Sequence, residues 1–160
     1  MQALPALYRY HAWANREFLD ALRETEGDVL RASLGLMAHC HAVAEIFAAH
    51  LRGVPHGYQS DSPPSPPLAE LSARIGACDQ WFLAYAGSLS PADLDVSVPF
   101  SFTDGDRGCM TRHEILLHVV VHAVYHRGEV GRLLKQHCVP LPWDTFAVHL
   151  HHADPSRRAA

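Results

Sequence analysis

The chain has 160 residues, 48% of them hydrophobic, and a net charge of -4 with its histidines neutral. That is the size of one ordinary domain, with enough apolar side chains to bury a core. Thirteen Lys plus Arg against seventeen Asp plus Glu offer no basic stripe to follow a phosphate backbone, so no direct nucleic-acid partner is expected.

Leu4, Leu7, His11, Ala14, Phe18 and Leu22 share one helical face and predict a first helix over about 3–25, broken by Gly27. A second helix is expected from Asp28 or Ser33 to Arg52, with Gly53 as its stop. The stretch GVPHGYQSDSPPSPP, 53–67, has no periodicity and is long for a connection within a domain. Its last prolines suit a helix start, and Leu68, Leu71, Ile75, Cys78, Phe82 and Tyr85 predict a third helix to about residue 88. Residues 90–110 read as a small β-hairpin or an irregular loop, from the alternation in VSVPFSF and the turn signal DGDRG. Thr111 with Glu114 is a capping-box pattern that opens a fourth helix, expected to run to about Gln136 and to stop at Pro140 and Pro142. A short element is expected around 144–151.

Four helices with one apolar face each are buried most simply as an all-α four-helix bundle, whose long 53–67 and 89–110 connections allow crossovers. Residues 1–152 are taken as one domain and 153–160 as a structureless tail. No run approaches about 18 consecutive apolar residues, and the N-terminus lacks the pattern of a signal peptide. Cys40, Cys78, Cys109 and Cys138 are scattered without a CxxC, so a cytoplasmic chain with reduced thiols is the simplest reading.

Thirteen histidines are the compositional outlier, and a metal claim must rest on geometry, since coincidental spacings are common in such a chain. In the fourth helix, HVVVHAVYHRGE places His126 inside the apolar arc of Ile115, Leu116, Val119, Ala123, Val130 and Leu133. His122 lies at its edge and His118 further out. His122 and His126 are one turn apart, about 6 Å between Cβ atoms, and can share an ion. Each also fits a core histidine bonded to a carbonyl. On the second helix His39 flanks the apolar arc, whereas His41 falls on the polar side with Glu45 and Arg52. If these helices are antiparallel neighbours, His39 meets His122 and His126 near mid-bundle. Three neutral imidazoles with further positions open are a catalytic type of site suited to Zn²⁺ or Ni²⁺.

Two segments carry a resemblance to a known family. LYRYHAWANREFLDAL resembles the opening signature of the DinB family, metal-binding four-helix bundles, and HVVVHAVYHRGEV resembles its H-x-x-x-H-R-G-Q segment. The His39-to-Gly53 spacing and the tail PLPWDTFAVHL extend the likeness over essentially the whole chain. The resemblance implies a metal triad of His39, His122 and His126, and a homodimer. It also implies either a thiol S-transferase using bacillithiol, mycothiol or glutathione, or a hydrolase. The alternative is a non-catalytic metal-binding scaffold of the stress response. Three departures stand out: Glu129 for glutamine, His11 where asparagine precedes W-A-N, and Phe47 for tryptophan.

Read as an enzyme on a small-molecule substrate, the triad would activate a thiol or water, with Glu129 as a base or as a partner of a ligand. Arg127 is read as pointing away from the core arc, either solvated, which is the favoured reading, or paired with an acidic group; Trp13 and Tyr125 are read as packing residues and Asn15 as polar in role.

Overall fold

The structure is a computed structural model that describes residues 3–158. Its elements are α1 (Ala3–Arg23), α2 (Gly27–Arg52), α3 (Leu68–Ser88), a single turn α4 (Pro91–Leu94), β1 (Ser97–Ser101), β2 (Arg107–Thr111), α5 (Arg112–Gln136) and α6 (Phe146–Ala153). The fold is all-α, a four-helix bundle with one small hairpin. The α4 turn, which periodicity does not foretell, is set by Ser90 and Asp93, which cap each other reciprocally.

The helix ends follow local chemistry. Gly53 ends α2 in the left-handed region (φ 67) and its N–H returns to the last turn. Thr111 and Glu114 form the capping box of α5: Thr111 Oγ1 accepts from Glu114 N–H at 3.1 Å, and Glu114 Oε2 accepts from Thr111 N–H at 2.7 Å. The prolines do not stop α5. It ends at Gln136, where expected, with His137 as its C-cap, and Cys138 follows in the left-handed region at φ 58.

α1 packs chiefly along α3 and α2 along α5, and lesser α1–α5 and α2–α3 contacts close the ring. Pairings fix the directions. Tyr8 meets Leu116 and Asn15 meets Arg127, so α1 and α5 run parallel. His39 meets His126 while Phe47 meets His118, so α2 and α5 run antiparallel. Arg52 lies over Trp81 and His41 lies near Cys78, so α2 and α3 run parallel. A parallel pair needs a connection that travels back the length of the bundle. That is why 53–67 is long: about 15 extended residues span the roughly 39 Å of α2.

Two apolar layers fill the bundle. One gathers Tyr8, Phe47, Phe82, Ile115 and Leu116; the other gathers Phe18, Leu22, Met37, Leu71 and Leu134. Between them lies a buried polar layer of His11, Asn15, Asp79 and Arg127. β1 pairs antiparallel with β2, with Phe100 opposite Gly108. Gly108 leaves room for the Phe100 ring, since a Cβ there would lie 2.7 Å from it. Phe100 thereby seats against Phe47 and His50 of α2, at 5.3 and 5.4 Å between ring centroids.

The segment read as a structureless tail includes the end of α6 at Ala153 and a 3-10 turn over Pro155–Arg158, where Asp154 accepts from Ser156 and Arg157. Residues 1, 2, 159 and 160 of the expected domain and tail lie outside the described residues. Although no uninterrupted apolar run exists, α2 alone among the described residues has the length and mean hydropathy (1.3) of a membrane span, and 61% of that window is buried in the bundle.

A non-glycine residue in the left-handed region carries a strain of about 1 kcal/mol that glycine lacks. Cys138→Gly is therefore expected to raise stability by up to about 1 kcal/mol, read as a higher urea midpoint at unchanged slope.

Candidate metal centre

His118, His122 and His126 form one stripe along the flank of α5 that faces α2. His39 of α2 completes a near-equilateral cluster with two of them. Ring centroids lie 5.0 Å apart for His39–His122, 4.7 Å for His39–His126 and 4.6 Å for His122–His126. One ligand atom from each lies within 4.8 Å of the others. All three are half-buried, so the cluster is neither in the dry core nor free in solvent.

The far sides of two rings are tied. His39 Nδ1 donates to the Asp61 carbonyl at 2.8 Å, and His126 Nδ1 donates to Glu129 Oε2 at 2.6 Å. A ring that donates through Nδ1 keeps a lone pair at Nε2 when neutral. His39 Nε2 then faces His122 Nε2 at 3.2 Å. That contact is an N–H···N hydrogen bond if neutral His122 carries its proton at Nε2, and a place for a cation between two lone pairs if it carries it at Nδ1. Two imidazoles about 2.0–2.1 Å from one tetrahedral ion would stand about 3.4 Å apart, so the donors fit a zinc-type ion. Burial above all, then the neighbouring His126, His39 and His118, pushes the His122 pKa down to about 4. Burial lowers that of His118 as well. His122 is therefore the neutral, ligating form at pH 7.

A cavity of about 210 Å³ opens against the cluster, lined by Phe47, Phe100, Phe102, His118, His122 and Asp61 among others. A larger hollow of about 570 Å³ between α1 and α3 touches none of the triad. The long connection thus brings Asp61 to the site, a contact with no signature in the sequence because it runs through a backbone carbonyl.

Three readings of single residues change, and two are sharpened. Arg127 does not point away from the core: it is fully buried. Its Nε donates to Asp144 Oδ2 at 2.6 Å, Nη1 to Asn15 Oδ1 at 2.9 Å and Nη2 to the Tyr10 hydroxyl at 3.4 Å. Val120, Ala123, Val130 and Leu134 surround its helical position, which was the available signal. Asn15 has the polar role expected of it, and it also donates to both oxygens of Asp79, which the sequence reading passed over. His41 is turned from the triad but is buried, not solvated. Tyr125 does not pack inside: it is 67% exposed, its ring 5.0 Å from that of His126 at the rim of the site. Glu129, half exposed, contacts His126 and so takes the ligand-partner geometry of its two expected roles.

Residues 1–158 match the family model described as the DinB family, and the chain belongs to that family. No curated protein matches it.

Removing one partner from a buried ion pair leaves a bare charge, at about 3–5 kcal/mol. Arg127→Leu is expected to lower stability by about that much in denaturant unfolding, and adding Asp144→Leu to recover part of it. The unfolded chain takes up a proton on His122 near pH 6.5, the folded chain only near pH 4. Between those values the unfolded state binds more protons, so stability of the metal-free protein falls as pH falls through that window. His122→Asn is expected to flatten that decline in melts recorded at stepwise lower pH.

Proposed function

We propose that this DinB-family chain is a divalent-metal-dependent enzyme acting on a small molecule, either a thiol S-transferase or a hydrolase, with His39, His122 and His126 as ligands. The observation that carries the reading is the meeting of His39 and His122 through Nε2 at 3.2 Å, with the far nitrogens of His39 and His126 held by fixed acceptors. Membership of a family of metal-binding bundles supports it. Three neutral imidazoles favour Zn²⁺ or Ni²⁺. Such an ion, when bound, supplies the positive charge that makes a thiol or water a nucleophile at neutral pH.

The chain's own residues do the rest. The Asp61 carbonyl and Glu129 fix the two rings in the ligating tautomer, and the Glu129 charge makes His126 a stronger donor. Phe47, Phe100 and Phe102 give the adjoining cavity an apolar wall that excludes water and suits an electrophile with an apolar body. His118 faces the same cavity, 5.4 Å from His122 between ring centroids, where it can position a polar substituent. Three ligands beside a cavity support catalysis over a closed scaffold. The outer face of α5, with Val121 and Tyr125 exposed, is the surface offered to a second subunit of a homodimer. A low-molecular-weight thiol as cosubstrate places the reaction in a reducing cytoplasm.

His39→Ala and His122→Ala are each expected to lose one equivalent of Zn²⁺ or Ni²⁺ per chain by calorimetric titration, and His118→Ala to lose none. Retention of full stoichiometry by both would overturn the ligand assignment. Glu129→Ala should weaken affinity about 10–100-fold, and Glu129→Gln, which still accepts from Nδ1–H, by less. Turnover of an electrophile with bacillithiol, mycothiol or glutathione identifies a transferase, and turnover of esters or amides a hydrolase. Inactivity toward all of them removes the enzyme reading.

A further inference from the structure

His39 and His41 sit about 200° apart around the axis of α2. One serves the face toward α5, and the other meets α3. There a second group of donors assembles that the triad does not use. His41 and Glu45 are one turn apart on α2, and Cys78 of α3 comes between them, with a ligand atom of each within 4.8 Å of the others. His41 is 9% exposed and Cys78 is 4% exposed. His41 Nδ1 is buried without a hydrogen-bond partner. Leaving a buried polar atom unpaired is unfavourable, so a missing partner is the economical explanation. On the core side of His41 and Cys78, away from Glu45, is a pocket with about 20 Å³ of room, lined also by Cys40, His11 and Asp79. That is space for one water molecule.

We propose that His41, Glu45 and Cys78 form a second metal site, which takes a zinc-type cation and ties α2 to α3. A nitrogen, a carboxylate oxygen and a sulfur are the borderline-soft donor set that Zn²⁺ accepts. Around one tetrahedral ion such atoms stand about 3.4–3.6 Å apart, so the three draw together by up to about 1.4 Å on binding. Cys78 gives up its thiol proton to solvent and donates a sulfur lone pair, with no change of oxidation state. A water completes the coordination. The pocket that His41 and Cys78 line is too small for a substrate, so the role of the site is to fix the rotation and register of α2 and thereby the direction of His39.

The test uses a chain in which His122→Ala has already removed the triad, and in which the two exposed thiols are gone through Cys109→Ser and Cys138→Gly. Titrated with Co²⁺, this protein is expected to bind one ion per chain. Its sulfur-to-cobalt charge-transfer absorption is one that no all-histidine site can give, and its melting temperature should rise with Co²⁺. Adding Cys78→Ala should abolish the absorption, and Cys40→Ala should leave it. Glu45→Ala, a half-exposed change that a helix tolerates, should weaken Co²⁺ binding at least tenfold in a folded protein. Absence of the charge-transfer absorption, or its survival in Cys78→Ala, would overturn the second site and leave a water as the partner of His41. Neither result bears on the triad, which this protein lacks.

Discussion

The buried guanidinium of Arg127 is the constraint on which the arrangement turns. A charge removed from water must be matched by acceptors held in place, or it destabilises the fold. Here Asp144, Asn15 and Tyr10 supply them, from the segment before α6 and from α1. Those contacts allow α5 one rotation about its axis. His126, the preceding residue, is then turned about 100° from Arg127 and faces α2. The W-A-N helix and the C-terminal segment thus position the histidine cluster without touching it. Between two apolar layers that could slide past one another, this polar layer sets the register.

A second constraint is topological. Because α2 and α3 run parallel, the chain must return along the bundle between them, and its path takes Asp61 over the triad. The proline-rich connection is therefore part of the site. The hairpin performs a comparable task at the cavity, where Phe100 packs on α2 beside the histidine stripe. Rigid helices carry the three histidines while the loops orient a ring and shape a wall, a division that suits the proposed function, which needs fixed donors beside an adaptable pocket.

Much of this was legible in the sequence, where the physics is local. Gly53 and the Thr111–Glu114 pair mark helix ends by backbone chemistry that depends on neighbours alone. The 100° step put His122 and His126 on one face and His39 rather than His41 toward it, the family resemblance named the three together, and the structure brings them within reach of one another. What spacing cannot supply is the identity of the opposing surface. Arg127 looked solvated because its acceptors, Asn15 and Asp144, are distant in sequence. His41 looked solvated because α2 was given one apolar face, whereas it packs on both α3 and α5. Asp61 acts through a carbonyl that every residue has. Cys138 takes a conformation that its side chain does not favour, so the prolines were the more visible stop.

The central claim is that His39, His122 and His126 hold one ion through their Nε2 atoms. Anomalous diffraction at the absorption edge of Zn²⁺ or Ni²⁺, from crystals grown with that metal, tests it most directly. The account requires a peak about 2.0–2.1 Å from all three Nε2 atoms, with Asp61 and Glu129 still bonded to Nδ1 of His39 and His126. A well-loaded crystal with no peak there, or a peak bound through Nδ1 or by His118 in place of His39, would contradict it.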